Sequence, residues 1–262
     1  MRSLSSPYLY IVGGRYLATL LKYKAIAFYI GTVLLSGLFL LLQTFVFPNS
    51  RLILMQLAPG FITIIMVKAT SEEMGLISFL KQCVRKKVAW RWIILSAIIP
   101  AVMVFGCDFT FRVLAKQNFD SYGNSAVPWS VWFVIAVMIG CIGEEIGWRG
   151  YLLPLLSKKF SLLLSSVLIG TMWGIWHFQF GEGLGFALFI VTTIEMSIIM
   201  TWLYYKGNES LITAVIFHIV INYCSQYLHG NVFDTYLRLL QALMFGILAA
   251  IIYFASPVFK SK

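Results

Sequence analysis

Two adjacent glutamates, Glu144 and Glu145, follow the apolar run from Val131 to Ile142, with Arg149 four residues beyond the second. Ionised groups set in hydrocarbon cost kilocalories unless they are paired or wetted. This chain nevertheless places two of its ten acidic residues here. Four more polar residues interrupt apolar runs: His177, Glu195, His218 and Asn222. A glutamate shielded from bulk water can act as general base on a water molecule. His177 can share or relay that proton, and His218 with Asn222, one helical turn apart, can supply hydrogen bonds to an oxyanion. Water activation plus oxyanion stabilisation is the minimum for hydrolysing a peptide bond. A second chemistry fits the same residue types. Glu144, His177 and His218 could ligate one divalent ion such as Zn²⁺ and leave a position open for water. No HExxH stands in the sequence, so the helix motif of soluble zinc proteases is absent. Whether a metal takes part stays open at this level.

The two glutamates need not share a task. Glu145 and Arg149 are i,i+4 neighbours on one helix face and read as a structural ion pair. Glu144 lies about 100° round the helix and is left for other partners. Glu195 sits at a depth from which it can line the same cavity, but no motif claims it.

The elements that must position these groups are membrane helices. Of the residues, 60% are hydrophobic and only 11% charged, against about 25% charged in soluble domains. An all-α polytopic integral membrane protein follows, and 262 residues accommodate six to eight spans of about 20 residues. Apolar runs place the spans near 25–47, 52–67, 90–105, 128–156, 161–178, 184–205, 211–228 and 237–254. Pro59 and Gly60 are expected to kink the second. Residues 1–24 hold Arg2, Arg15, Lys22 and Lys24 without an acid and read as a basic arm, partly an interfacial helix. Residues 25–262 then form a single membrane domain. Between the second and third spans, Met74, Ile77, Leu80 and Val84 recur at helical spacing, which predicts a surface amphipathic helix. Residues 106–128, with Asp108, Arg112, Lys116, Asp120 and Asn124, are expected to be a polar segment on the far side. Tryptophans are read as interface or packing groups.

Charge sets the orientation. With both termini cytoplasmic, fifteen Lys and Arg face inside and four face outside, Arg149 lying within a span. Basic residues crowd cytoplasmic loops, so eight spans with both ends inside are expected. The same rule accounts for the net charge of +10 without nucleic acid as a partner. The four cysteines form no CxxC pair, which argues against a disulfide framework or a structural zinc site.

Depth brings the polar groups together. The turn at 157–160 joins the fourth and fifth spans. Glu144 lies roughly 20 Å and His177 roughly 25 Å from it at the α-helical rise. Asn222 lies roughly 17 Å along the seventh span. A polar cavity holding Glu144, His177, His218 and Asn222 and opening to the cytoplasm, at the end with that turn, is the expectation.

Glu144-Glu145-Ile146-Gly147-Trp148-Arg149-Gly150 resembles the EExxxR motif of the CAAX-protease and bacteriocin-processing (CPBP, or Abi) family, which includes the Ras-converting enzyme. Trp173-Gly174-Ile175-Trp176-His177 resembles the second motif, an aromatic followed by three residues and histidine, with tryptophan where phenylalanine is commoner. His218-Ile219-Val220-Ile221-Asn222 resembles the third, HxxxN/D, and Leu203 to Gly207 also has the family's look. The resemblance covers about 129–226. It implies an intramembrane endopeptidase in which Glu144 activates water, His177 assists, and His218 and Asn222 stabilise the oxyanion. The implied substrate is a peptide or membrane-anchored protein, cut near the inner interface of a prokaryotic cell membrane. Bacteriocin maturation or immunity and pheromone-peptide processing are the implied settings, and the family's name leaves metalloprotease and glutamate protease both open. Two rivals stand beside it: a non-catalytic scaffold or immunity protein of the same fold, and a small transporter whose buried charges bind ions.

Overall fold

In a computed structural model the described residues are 7–46, 54–70, 75–84, 87–116, 130–228 and 234–260. Among them there is helix and no strand. Apolar side chains all round a helix bury no polar backbone outside it, so such runs fold as helices wherever water is absent. The first helix, α1 (Pro7–Phe45), runs without a break from the basic arm into the first span. After it come a short 3₁₀ turn (Leu54–Leu57), α2 (Ala58–Thr70), α3 (Leu76–Val84) and α4 (Trp90–Leu114). The chain continues as α5 (Val131–Glu145), a π-helix (Ile146–Leu152), α6 (Leu153–Ser157) and α7 (Leu162–Trp176). It ends with α8 (Leu184–Lys206), α9 (Leu211–Tyr227) and α10 (Thr235–Ala255).

Each of the eight expected spans falls on helix. Among the described residues five stretches are long and apolar enough to cross a membrane: Tyr23–Phe45, Trp90–Leu114, Val131–Ser157, Leu184–Lys206 and Thr235–Ala255. Leu54–Ala69, Leu162–Trp176 and Leu211–Tyr227 are shorter apolar helices. The amphipathic segment is α3, which buries Cys83 and leaves Ile77 and Val84 exposed.

Two local expectations fail. Pro59 does not kink the second span. It lies in the first turn of α2, where its missing N–H costs no helical bond. The third span does not stop at Phe105 but continues to Leu114. It can do so because Asp108 accepts from Arg112 Nε at 2.7 Å, one turn on, so that both charges are buried as a pair. The rest of the expected polar segment, including Asp120 and Asn124, lies outside the described residues, as do Glu72, Glu73 and His229.

Close helix crossings set the site's frame. α7 packs on α8, α8 on α10, and α4 on α9, while α2 lies against α5 and the π-helix. A Cβ on Gly170 of α7 would meet the backbone of α8 at Ile194 and come within 2.8 Å of the Thr193 carbonyl. A Cβ on Gly147 would collide with Pro59 of α2. Small residues at such points let backbones approach, which is how membrane helices pack without a hydrophobic driving force.

Candidate active site

Glu144 and Glu145 are the last two residues of α5 before the helix widens into the π-helix. π-Helical turns are uncommon and cluster at functional sites. Both carboxylates and Arg149 are buried, at 1%, 0% and 0% exposure. Arg149 Nη1 donates to both oxygens of Glu145, at 2.9 and 3.1 Å, so the expected ion pair is present. Its guanidinium also lies over the Trp173 ring, 4.9 Å from the centroid, a cation–π contact strengthened by desolvation. Arg149 Nε and Nη2 have no protein partner.

Glu145 has a second partner across the bundle. His218 of α9 donates from Nδ1 to Glu145 Oε1 at 2.9 Å. That bond fixes the ring, and its Nε2 then lies 4.0 Å from Glu144 Oε2. Glu144 itself is held from α7, where Trp173 Nε1 donates to Oε2 at 2.8 Å. His177, at the C-terminal cap of α7, is turned by a 2.7 Å bond from Nδ1 to the Trp173 carbonyl. The edge of its ring meets Phe189 of α8, centroids 4.9 Å apart. Asn222 donates from Nδ2 to Cys141 Sγ at 3.3 Å, one turn before Glu144. Both Nδ1 groups are therefore committed, so each neutral imidazole presents a bare Nε2. Such a nitrogen accepts a proton and donates to an oxyanion only after taking one up.

Beside these groups lies a cavity of about 280 Å³. Trp173, His177, His218 and Asn222 line it, with Asp108 of α4, Met196 of α8, and Arg238 and Phe245 of α10. Glu144 is not among the lining residues; it sits behind Trp173 and His218. The lining comes from the C-terminal halves of α4, α7 and α9 and the N-terminal halves of α8 and α10. That is the half of the bundle away from the 157–160 turn, rather than the half holding that turn, where the sequence reading set the opening. The reason is that His177 stands at the very end of a short α7.

Glu195 does not line the cavity. It points at α10, where a Cβ on Gly246 would come within 2.7 Å of its Oε1. Among the described residues no three His, Cys, Asp or Glu side chains are gathered closely enough to hold a metal ion in this arrangement. His218 turns Nδ1 to Glu145 and His177 turns Nδ1 to a carbonyl.

Sequence reasoning missed Trp173 and Cys141 as partners of the site. Trp148, Trp173 and Trp176 are nearly fully buried, as packing groups are. The Trp176 indole donates to Ser36 and the Trp173 indole to Glu144, while among the described residues Trp148 Nε1 has no hydrogen-bond partner. Spacing gives some signal here, since Trp173 lies one turn before His177. Cys141 lies three residues before Glu144, also on one face.

Residues 126–224, which contain all three motifs, match the family described as type II CAAX prenyl endopeptidase Rce1-like. The chain is 27% identical over 226 residues to CAAX prenyl protease 2 of Methanococcus maripaludis, covering 79% of this chain and 82% of that protein. It is 23% identical over 202 residues to lysostaphin resistance protein A of Staphylococcus haemolyticus. That match covers 75% of this chain and 55% of the relative, so the chain spans about half of it. With its three motifs converging on one buried site in an all-helical membrane fold, the chain is similar over residues 126–224 to the CAAX-protease and bacteriocin-processing family that includes the Ras-converting enzyme.

Proposed function

We propose that in this intramembrane endopeptidase Glu144 activates the attacking water, with His177 assisting and His218 and Asn222 stabilising the oxyanion. The observation that carries this reading is the 4.0 Å gap between Glu144 Oε2 and His218 Nε2, beside the cavity. It is longer than a direct hydrogen bond and is the kind of separation a water bridges. A water there gives a proton to Glu144 and attacks the scissile carbonyl. The oxyanion that forms is met by Asn222 Nδ2 and by His218 once its Nε2 carries a proton, the imidazolium being balanced by Glu145 at its Nδ1. The proton held by Glu144 then goes to the departing amine. Glu145 and Arg149 support the site by holding His218 in register.

The substrate is a peptide or membrane-anchored protein entering a cavity with an apolar wall. The relative from Methanococcus maripaludis carries the name CAAX prenyl protease 2, which supports a peptide or protein substrate. The enzyme sits in a prokaryotic cell membrane with both termini cytoplasmic, a reading supported by the fifteen-to-four distribution of basic residues. On that orientation the cavity lies in the outer half of the bundle. A second reading, a non-catalytic immunity protein, is favoured by the likeness to lysostaphin resistance protein A. Retention of Glu144, His177, His218 and Asn222 together favours the peptidase.

The test is incubation of the purified protein in detergent with quenched-fluorescent peptides, with and without chelator, the products read by mass spectrometry. Cleavage lost in Glu144→Ala is the expected result. Cleavage that persists in Glu144→Ala overturns the assignment, and a dependence on added Zn²⁺ after chelation would make the site a metal centre.

A further inference from the structure

We infer that Trp173 is the positioning residue for Glu144: its indole N–H holds the carboxylate in line with His218. The inference rests on the role proposed for Glu144. No other residue touches as many parts of the site. Trp173 donates to Glu144 Oε2 at 2.8 Å, and its carbonyl fixes His177 Nδ1 at 2.7 Å. Its ring carries the Arg149 guanidinium at 4.9 Å and meets the His218 ring edge-on at 5.1 Å. It is 2% exposed, yet it is part of the cavity wall.

The physical case is one of degrees of freedom. Glu144 has three side-chain torsions and no salt bridge of its own within 3.5 Å, since Arg149 is taken by Glu145 and His218 stands 4.0 Å away. A catalytic carboxylate left to rotate loses the alignment on which its rate depends. One donor from a rigid ring removes most of that freedom. The ring is itself clamped, because Gly170 and Gly174 let α7 lie directly on α8. The indole holds Oε2 facing His218 Nε2 across the gap that the water fills. Trp173 also separates the carboxylate from the cavity, so substrate meets water only where His218 and Glu144 leave the gap.

Replacing Trp173 with benzothienylalanine, which keeps the bicyclic shape and removes only the N–H donor, isolates this bond. Hydrogen bonds to a charged group are worth enough that kcat should fall about tenfold to a hundredfold. KM should stay unchanged, the thermal midpoint should fall only by what the unpartnered Glu144 carboxylate costs, and Trp173→Phe should show the same kcat loss. A residue that merely packs would lower the midpoint and leave the isostere's kcat intact, and that result overturns the inference. So does an increase in turnover, which would make the indole a cover rather than a guide.

Proton–nitrogen NMR of the indole groups in detergent supplies a readout that does not need a substrate. The Trp173 N–H, identified as the signal missing in Trp173→Phe, should resist solvent exchange and move in Glu144→Ala. An unshifted, fast-exchanging signal overturns the inference whether or not any peptide is cut. Wild-type protein that cuts nothing, with the NMR result as expected, overturns the proposed function alone.

Discussion

His218 Nδ1 lies 2.9 Å from Glu145 Oε1, a bond that joins α9 to the end of α5 between two side chains both under 4% exposed. Glu145 is thereby shared between a histidine and an arginine, and the ion pair inside the EExxxR motif becomes the mount for the third motif. The motif residues act as a unit because one carboxylate serves two of them.

Removing that mount should have two separable effects. Glu145→Ala leaves Arg149 buried without its counter-charge, and breaking a buried pair costs about 3–5 kcal/mol. The protein should melt markedly earlier, read by thermal unfolding in detergent. Glu145→Gln keeps an acceptor for His218 and should retain more stability while losing turnover. Equal midpoints for Glu145→Ala and wild type would show that Arg149 does not depend on Glu145.

Glu144→Ala should behave in the opposite way. Among the described residues Glu144 makes one side-chain hydrogen bond, to Trp173, so its loss should cost stability little and abolish peptide cleavage. The pairing of a near-native melt with no product separates a chemical role from a structural one.

Gly170→Leu should destabilise the fold although it lies outside the site. A Cβ there already meets the Ile194 backbone of α8, and overpacking a close contact costs about 1–3 kcal/mol or more. Because α7 carries both Trp173 and His177, cleavage should fall with it. A variant that folds and cuts normally would mean that the α7–α8 distance does not govern the site.

Cys83 should label slowly with maleimide at neutral pH. It lies on α3, outside the apolar spans, and burial pushes its thiol up to about 11. The reactive thiolate is therefore scarce below that value and grows only as pH rises toward it. A single-cysteine protein read by mass shift checks this, and rapid labelling at neutral pH would show that α3 lifts away from Gly150.

Orientation has its own test. Gln241 lines the cavity on α10, so with cytoplasmic termini a Gln241→Cys protein should react with an impermeant thiol reagent applied outside intact cells. Labelling only after permeabilisation would reverse the topology and turn the cavity towards the cytoplasm.

What the sequence determined by itself is the part that rests on local physics. Apolar runs must be helical in lipid because each backbone group has to be satisfied within its own segment, so the apolar helices from Ala25 to Phe254 were readable, five of them long enough to cross a membrane. The i,i+4 geometry of Glu145 and Arg149 needs one helix and nothing else, and their pairing was readable too. The tertiary structure decided everything that depends on which faces meet. Asp108 and Arg112 looked like loop charges because a run of residues cannot show that two opposite charges neutralise each other inside a helix. Trp173 looked like packing because its donor finds Glu144 only when α7 crosses the end of α5. Glu195 stood at the right depth and still missed the cavity, since depth follows from rise along one helix while facing follows from rotation against its neighbours. The side of the bundle on which the cavity lies was decided last, by where α7 ends.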